Sequence, residues 1–222
     1  MILNHVEKLC SLVETNEKIS NMHGALLYSS VETLKKGKFY FLGVNPGGNG
    51  SDRVRFDPIY TRNAYRDTSW VNNQANYEGR LAPLQQRVIK LFEFFGIAIE
   101  DVCASNLIFQ QTADITELPN VYDYADSCFP IHRYIIEEIV KPQFIISMGK
   151  IVFDYFVERQ GYTYSHEFPA GHAKWSIRIA TKGDTTLINL PHLSYYDPFA
   201  FSNRTQKAKE EALETLKQIV ML

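Results

Sequence analysis

The sequence predicts an α/β fold with a mostly parallel sheet and helices on both of its faces. Three observations predict it. Short apolar runs, Phe39–Leu42, Val102–Phe109 and Phe144–Met148, alternate with longer segments of helical periodicity, the pattern of successive strand–helix units. Two of these runs end at sharp glycine breaks, the first in Gly43-Val44-Asn45-Pro46-Gly47-Gly48-Asn49-Gly50 and the third at Gly149. A chain of 222 residues, 45% of them hydrophobic, can bury a sizeable core, so residues 1–222 are expected to form a single domain.

The elements follow in order. Residues 1–20 place Ile2, Val6, Leu9, Leu12 and Val13 on one face of an amphipathic helix. A short helix is expected over Ser30–Lys36, then the strand Phe39–Leu42. Residues 49–78 are polar and irregular, with Arg53, Arg55, Arg62 and Arg66 among Phe56, Tyr60, Tyr65 and Trp70. Interleaved aromatics argue for an ordered, functional loop. Gly79 to Phe95 reads as a helix ended by Gly96. Val102–Phe109 is the second strand, with Asn106 near its carboxyl end. Tyr122 to Val140 is a helix stopped by Pro142. Phe144–Met148 is the third strand, and Gly149 opens a helix to about Glu158. Trp175–Ala180 and Thr185–Leu190 form a hairpin around Lys182-Gly183-Asp184. Pro191-His192-Leu193-Ser194 follows, and a Lys/Glu-rich amphipathic helix runs from Arg204.

Composition narrows the function. The formal net charge of −2 gives no global basic field, which leaves nucleic-acid binding to a local patch. Three scattered cysteines, Cys10, Cys103 and Cys128, fit a reducing compartment and neither a disulfide framework nor a zinc site. No apolar stretch approaches the roughly 20 residues of a membrane span, and the N-terminus does not resemble a signal peptide. A soluble intracellular protein is expected, cytoplasmic or, in a eukaryote, nuclear.

The glycine turn after the first strand is not a phosphate loop, because no Lys-Ser/Thr follows Gly48. It is not a dinucleotide fingerprint, because Arg53 stands where the third glycine belongs. No G-x-S-x-G elbow is present. His166 and His172 lack the neighbours of a metal site, and Ser194, His192 and Asp197 lie too close in sequence for a relay triad. What remains is Asn45 on the turn, Asn106 at a strand end and His192 after the last strand. In an open α/β sheet, ligands bind beyond the carboxyl ends of the strands.

These three residues carry a resemblance. Gly43-Val44-Asn45-Pro46-Gly47 resembles the first motif of the uracil-DNA glycosylase superfamily, in the asparagine form of its single-strand-selective and mismatch-specific branches. Ala104-Ser105-Asn106-Leu107-Ile108 is similar to the strand bearing the base-recognition asparagine, and Ile145-Ile146-Ser147-Met148-Gly149 to the third strand and its glycine turn. His192-Leu193-Ser194 resembles the His-Pro-Ser motif, with Leu193 in place of proline and so without that residue's fixed φ. The ordered similarity spans about residues 39–220.

The resemblance implies a three-layer αβα sandwich around a four-stranded sheet, and hydrolysis of the N-glycosidic bond of uracil, or a related damaged base, in single- or double-stranded DNA. It implies Asn45 and His192 as catalytic residues and Gly43, Val44, Gly47, Phe56, Tyr60, Asn106 and Ser194 as substrate contacts, with Phe56 or Tyr60 stacked on the base. Arg53, Arg55 and Arg204 would grip phosphates, and Tyr195 and Tyr196 would belong to a wedge or, equally, to an apolar clasp under the last helix. No cofactor, metal or iron–sulfur cluster is called for. Other expectations are a repurposed member of the same fold that binds nucleic acid, a nucleotide or a protein, and a hydrolase of free nucleosides.

Overall fold

The computed structural model describes residues 2–71 and 81–221. The amino-terminal part of the helix expected from Gly79 lies outside them. The chain is α/β, with six strands among the described residues where four were expected. In chain order the strands are β1 Phe39–Gly43, β2 Cys103–Asn106, β3 Phe144–Met148, β4 Thr163–Pro169, β5 Ser176–Lys182 and β6 Thr185–Leu190. The helices are α1 Ile2–Glu14, α2 Glu17–Ser20, α3 Pro83–Phe94, α4 Val121–Tyr134, α5 Lys150–Arg159 and α6 Gln206–Met221. No helix among the described residues is long and apolar enough to cross a membrane.

The chain divides into two compact units, Met1–Arg62 with Val102–Gln143, and Asn63–Asp101 with Phe144–Leu222. In the first, β1 and β2 pair in parallel, and Gly43 stands opposite Asn106. Every residue of both strands is buried. Burial on both faces explains why they read as continuous apolar runs rather than alternating ones. The residues before β1 run back along β2, with Leu27 bridging Ser105 and Gly24 bridging Gln110. Gly24 has φ +146°, and a Cβ there would lie 2.1 Å from the Phe109 carbonyl oxygen, so only glycine fits this crossing.

The expected 1–20 helix is two helices. Asn16 leaves the helical region at φ −103° and caps α2 by accepting the Ile19 N–H at 3.2 Å. The expected Ser30–Lys36 helix is only a 3₁₀ turn, Val31–Thr33. The helix expected to end at Pro142 does so, but its last part, Ile135–Val140, is π-helical after Pro130 removes a donor inside α4.

In the second unit β3 and β6 are parallel, while β5 and β4 follow antiparallel. The β5–β6 hairpin matches the sequence reading, with Gly183 at φ +55° in its turn. Strand β4 escaped it because almost all of Thr163–Pro169 is exposed, leaving no apolar alternation to read.

Buried His132 ties α4 to the first unit's sheet. Its Nε2–H donates to the Leu107 carbonyl at 3.1 Å, and its Nδ1 accepts from the Tyr40 hydroxyl at 2.8 Å. Burial pulls its pKa down to about 4 from an ordinary 6.5, so the folded state holds it neutral. The unfolded chain binds this proton more readily. The stabilisation is therefore complete above pH 6.5 and is lost as pH falls from 6.5 through about 4. The loss should approach about 3 kcal/mol at roughly 1.4 kcal/mol per unit. Urea unfolding at neutral and mildly acidic pH checks this, and His132→Gln should flatten the difference.

Candidate active site

In the first unit the glycine turn is zipped to the segment after β2. The Gly43, Val44 and Pro46 carbonyls accept the N–H groups of Leu107, Ile108 and Thr112 at 2.9, 2.9 and 3.1 Å. This ladder carries Asn45 out past the end of β1. The Asn45 Nδ2 donates to the Thr112 hydroxyl at 2.8 Å, the Pro46 carbonyl at 3.0 Å and, weakly, the Gln110 carbonyl at 3.4 Å. Two carbonyls can only accept, so the NH₂ end of the amide must face them. The Asn45 Oδ1 then points away as an acceptor with no partner among the described residues. Thr112, itself buried, is a residue the sequence reading missed.

Two glycines of the turn accommodate a side chain from the segment after β2. The Gln111 Nε2 donates to the Gly47 carbonyl at 2.6 Å. A Cβ on Gly50 would meet the Gln111 Oε1 at 1.9 Å, and one on Gly48, at φ +97°, would lie 3.1 Å from its Nε2. Gly48 and Gly50 therefore make room for the Gln111 side chain, around which the turn is wrapped. Gly43 and Val44 are buried, and their carbonyls are consumed by the ladder.

Asn106 ends β2 and is only 4% exposed. Its side-chain amide makes no hydrogen bond among the described residues. No fully buried side-chain polar atom lacks a partner among them either, so both ends of this amide keep a little accessible surface. It is an open amide at a strand end, not one tied to neighbouring backbone. Its neighbours fix it from behind: Ser105 Oγ donates to the Leu26 carbonyl at 2.5 Å, and His132 holds Leu107.

The first part of the arginine loop, up to Arg62, belongs to this unit, and residues 72–78 of the expected loop lie outside the described residues. Val54 N–H donates to the Met22 carbonyl and Gly24 N–H to the Asp52 carbonyl, both at 2.8 Å. Along it Arg53 and Arg55 face out while Val54 and Phe56 face in. Phe56 is 8% exposed. Arg53 donates to Asn21 at 3.2 Å, and Arg55 has no partner among the described residues. The Tyr60 carbonyl accepts the Val31 N–H at 2.8 Å, beyond the contact of Tyr28 with Ala104, which tethers Tyr60 on the amino-terminal side of β2.

His192 belongs to the second unit and follows β6. Its Nδ1 accepts the Ser194 N–H at 3.2 Å, which places the ring proton on Nε2. Burial lowers its pKa, favouring the neutral ring. The result is a neutral imidazole whose Nε2–H has no acceptor among the described residues.

The turn is rigid without the proline. Leu193 is fully buried, and the Arg87 guanidinium donates to the Leu193 and Ser194 carbonyls at 2.7 and 2.8 Å while pairing with Asp197 at 3.3 Å. Arg87→Ala should weaken the fold by about 2 kcal/mol, since hydrogen bonds to charged groups are the strong ones. It should also speed chymotryptic cleavage at Tyr195.

Tyr196 packs inward. It is 1% exposed, and its hydroxyl donates to the Ala170 carbonyl at 2.7 Å. Lys209 stands 5.7 Å from the centre of its ring and donates to the Asp197 and Ala200 carbonyls at 2.7 Å each. The exposed ring is Tyr195, 78% exposed, with its centroid 6.0 Å from that of His192. Ser194 and Arg204 are also exposed.

No protein-family model matches the chain, and no curated protein matches it closely enough to be a relative.

Proposed function

We propose that this chain is a monofunctional DNA glycosylase that hydrolyses the N-glycosidic bond of uracil, or a closely related base, as a member of the uracil-DNA glycosylase superfamily. One observation carries the reading. The pairing of Gly43 with Asn106 sets the Asn45 turn and the Asn106 amide at neighbouring strand ends, one with a free acceptor and the other with an open amide.

Each group has a part. The target nucleotide leaves the stack and enters the site. The Asn106 Oδ1 accepts the uracil N3–H and its Nδ2 donates to O4. Cytosine offers no N3–H and a donor in place of O4, so with the amide in this orientation both contacts fail. Phe56 is the stacking ring, since Tyr60 is tethered on the amino-terminal side of β2. As the C1′–N1 bond breaks, its electron pair departs with the base and positive charge grows on the sugar. Asn45 Oδ1 holds a water for C1′, where placement matters more than basicity. By the resemblance, His192 is the donor to the uracil O2 as negative charge develops there. Arg53, Arg55, Arg204 and Tyr195 contact the DNA around it.

Incubation with uracil-containing single- and double-stranded oligonucleotides, followed by alkaline cleavage at abasic sites, tests the reading. Cleavage at the uracil position is expected. Absence of product at high enzyme excess overturns it, and release of base from free nucleosides alone would make the protein a nucleoside hydrolase.

A further inference from the structure

A cavity of about 400 Å³ opens in the first unit between α2, the start of α4 and the segment after β2. Lys18 and Asn21 form one side, Asp123 and Tyr124 the other, and Gln110 the wall between them. The side chains that line it have no part in the chemistry described above. The cavity nevertheless adjoins that site, because the Gln110 carbonyl is one of the acceptors that hold the Asn45 amide.

The two sides differ in chemistry. The Lys18 ammonium has no partner among the described residues. Arg53 donates to the Asn21 Oδ1 at 3.2 Å, which orients that amide and leaves its NH₂ to donate. One wall is thus cationic and rich in donors. On the other, the Asp123 carboxylate also lacks a partner among the described residues and lines the cavity together with Tyr124. It can only accept. A ligand with an anionic end, a planar ring and an amino group on that ring meets all three. The volume falls within the range of small-ligand sites.

We propose that this cavity receives the nucleotide next to the reacting one in a single DNA strand, an inference that rests on the glycosylase reading. Lys18 and Asn21 hold its phosphate, with Arg53 orienting the Asn21 amide, and Tyr124 flanks its base. Asp123 accepts from the exocyclic amine of cytosine, the pairing its acceptor-only chemistry suits. Thymine would set a carbonyl oxygen against the carboxylate. The site therefore makes the protein prefer a cytosine neighbour over a thymine neighbour.

Fluorescence anisotropy with end-labelled, uracil-free oligo(dC) and oligo(dT) tests this without calling on catalysis. The wild-type protein should bind oligo(dC) about tenfold more tightly, the scale of one good base-edge contact. Asp123→Asn should abolish that preference. Lys18→Ala should weaken binding to both by about fivefold and reduce the salt slope by about one. If both strands bind and neither variant changes anything, the cavity does not hold DNA, while the glycosylase reading survives. If neither strand binds and uracil-containing strands yield no abasic product, both fall together.

Discussion

Asn45→Ala is expected to lower single-turnover base release by about 10²–10³-fold, the scale of losing one preorganised polar group aimed at the reacting centre. Affinity for a uracil-containing oligonucleotide should stay within about twofold, because the side chain meets the water rather than the bulk of the DNA. The same residue makes three contacts to Pro46, Gln110 and Thr112, so a purely structural role is the serious rival. Thr112→Val separates the two. It keeps Asn45 and its carbonyl partners but removes the 2.8 Å contact that orients the amide. A loosened amide should still bind DNA and should slow release by about tenfold through misplacement of the water. If Asn45→Ala reduces binding and rate equally, or lowers the unfolding midpoint enough to account for the lost rate, Asn45 is structural and the water-holding role fails.

Much of this geometry was legible because the residues concerned sit where local rules apply. Phe39–Gly43 and Phe144–Met148 are buried on both faces, so an apolar run bounded by Gly announces them. Asn45 and Asn106 stood out as polar residues at the ends of such runs, and register then brings their strand ends together. The supporting residues could not be read this way. Thr112 reaches Asn45 across 67 positions, and Arg87 reaches Leu193 across 106. Neither contact has a period or a motif. Gln111 gave no signal either, since the glycines that accommodate it have an equally good reading as an approach to substrate. His132 looks like an ordinary residue within α4, and only the fold shows that Tyr40 and Leu107 enclose it. Tyr195 and Tyr196 are adjacent and chemically alike, yet one is exposed and the other buried. That difference comes from which ring finds the Ala170 carbonyl, a partner in a separate loop.

Asn106→Leu should raise stability while it destroys activity. The Asn106 amide makes no hydrogen bond among the described residues and keeps only a little accessible surface, so it carries part of the desolvation penalty of about 1–3 kcal/mol. Leucine has the same number and branching of side-chain heavy atoms, is bulkier, and has no such penalty, so the folded state should gain on the order of 1 kcal/mol, measurable as a higher urea midpoint with an unchanged slope. Loss of two hydrogen bonds to the uracil edge should reduce kcat/KM by about a hundredfold or more. The opposed signs make the experiment decisive. A residue kept for architecture loses stability when its polar group is removed, as His132 would with Tyr40 and Leu107 left unpaired. A residue kept for a ligand gives stability back, because the fold tolerates an unpaired group only for what that group will bind. If Asn106→Leu unfolds the protein more easily, the amide has a structural partner and base recognition by Asn106 is wrong. If stability rises and uracil release persists undiminished, recognition of the base lies with another residue.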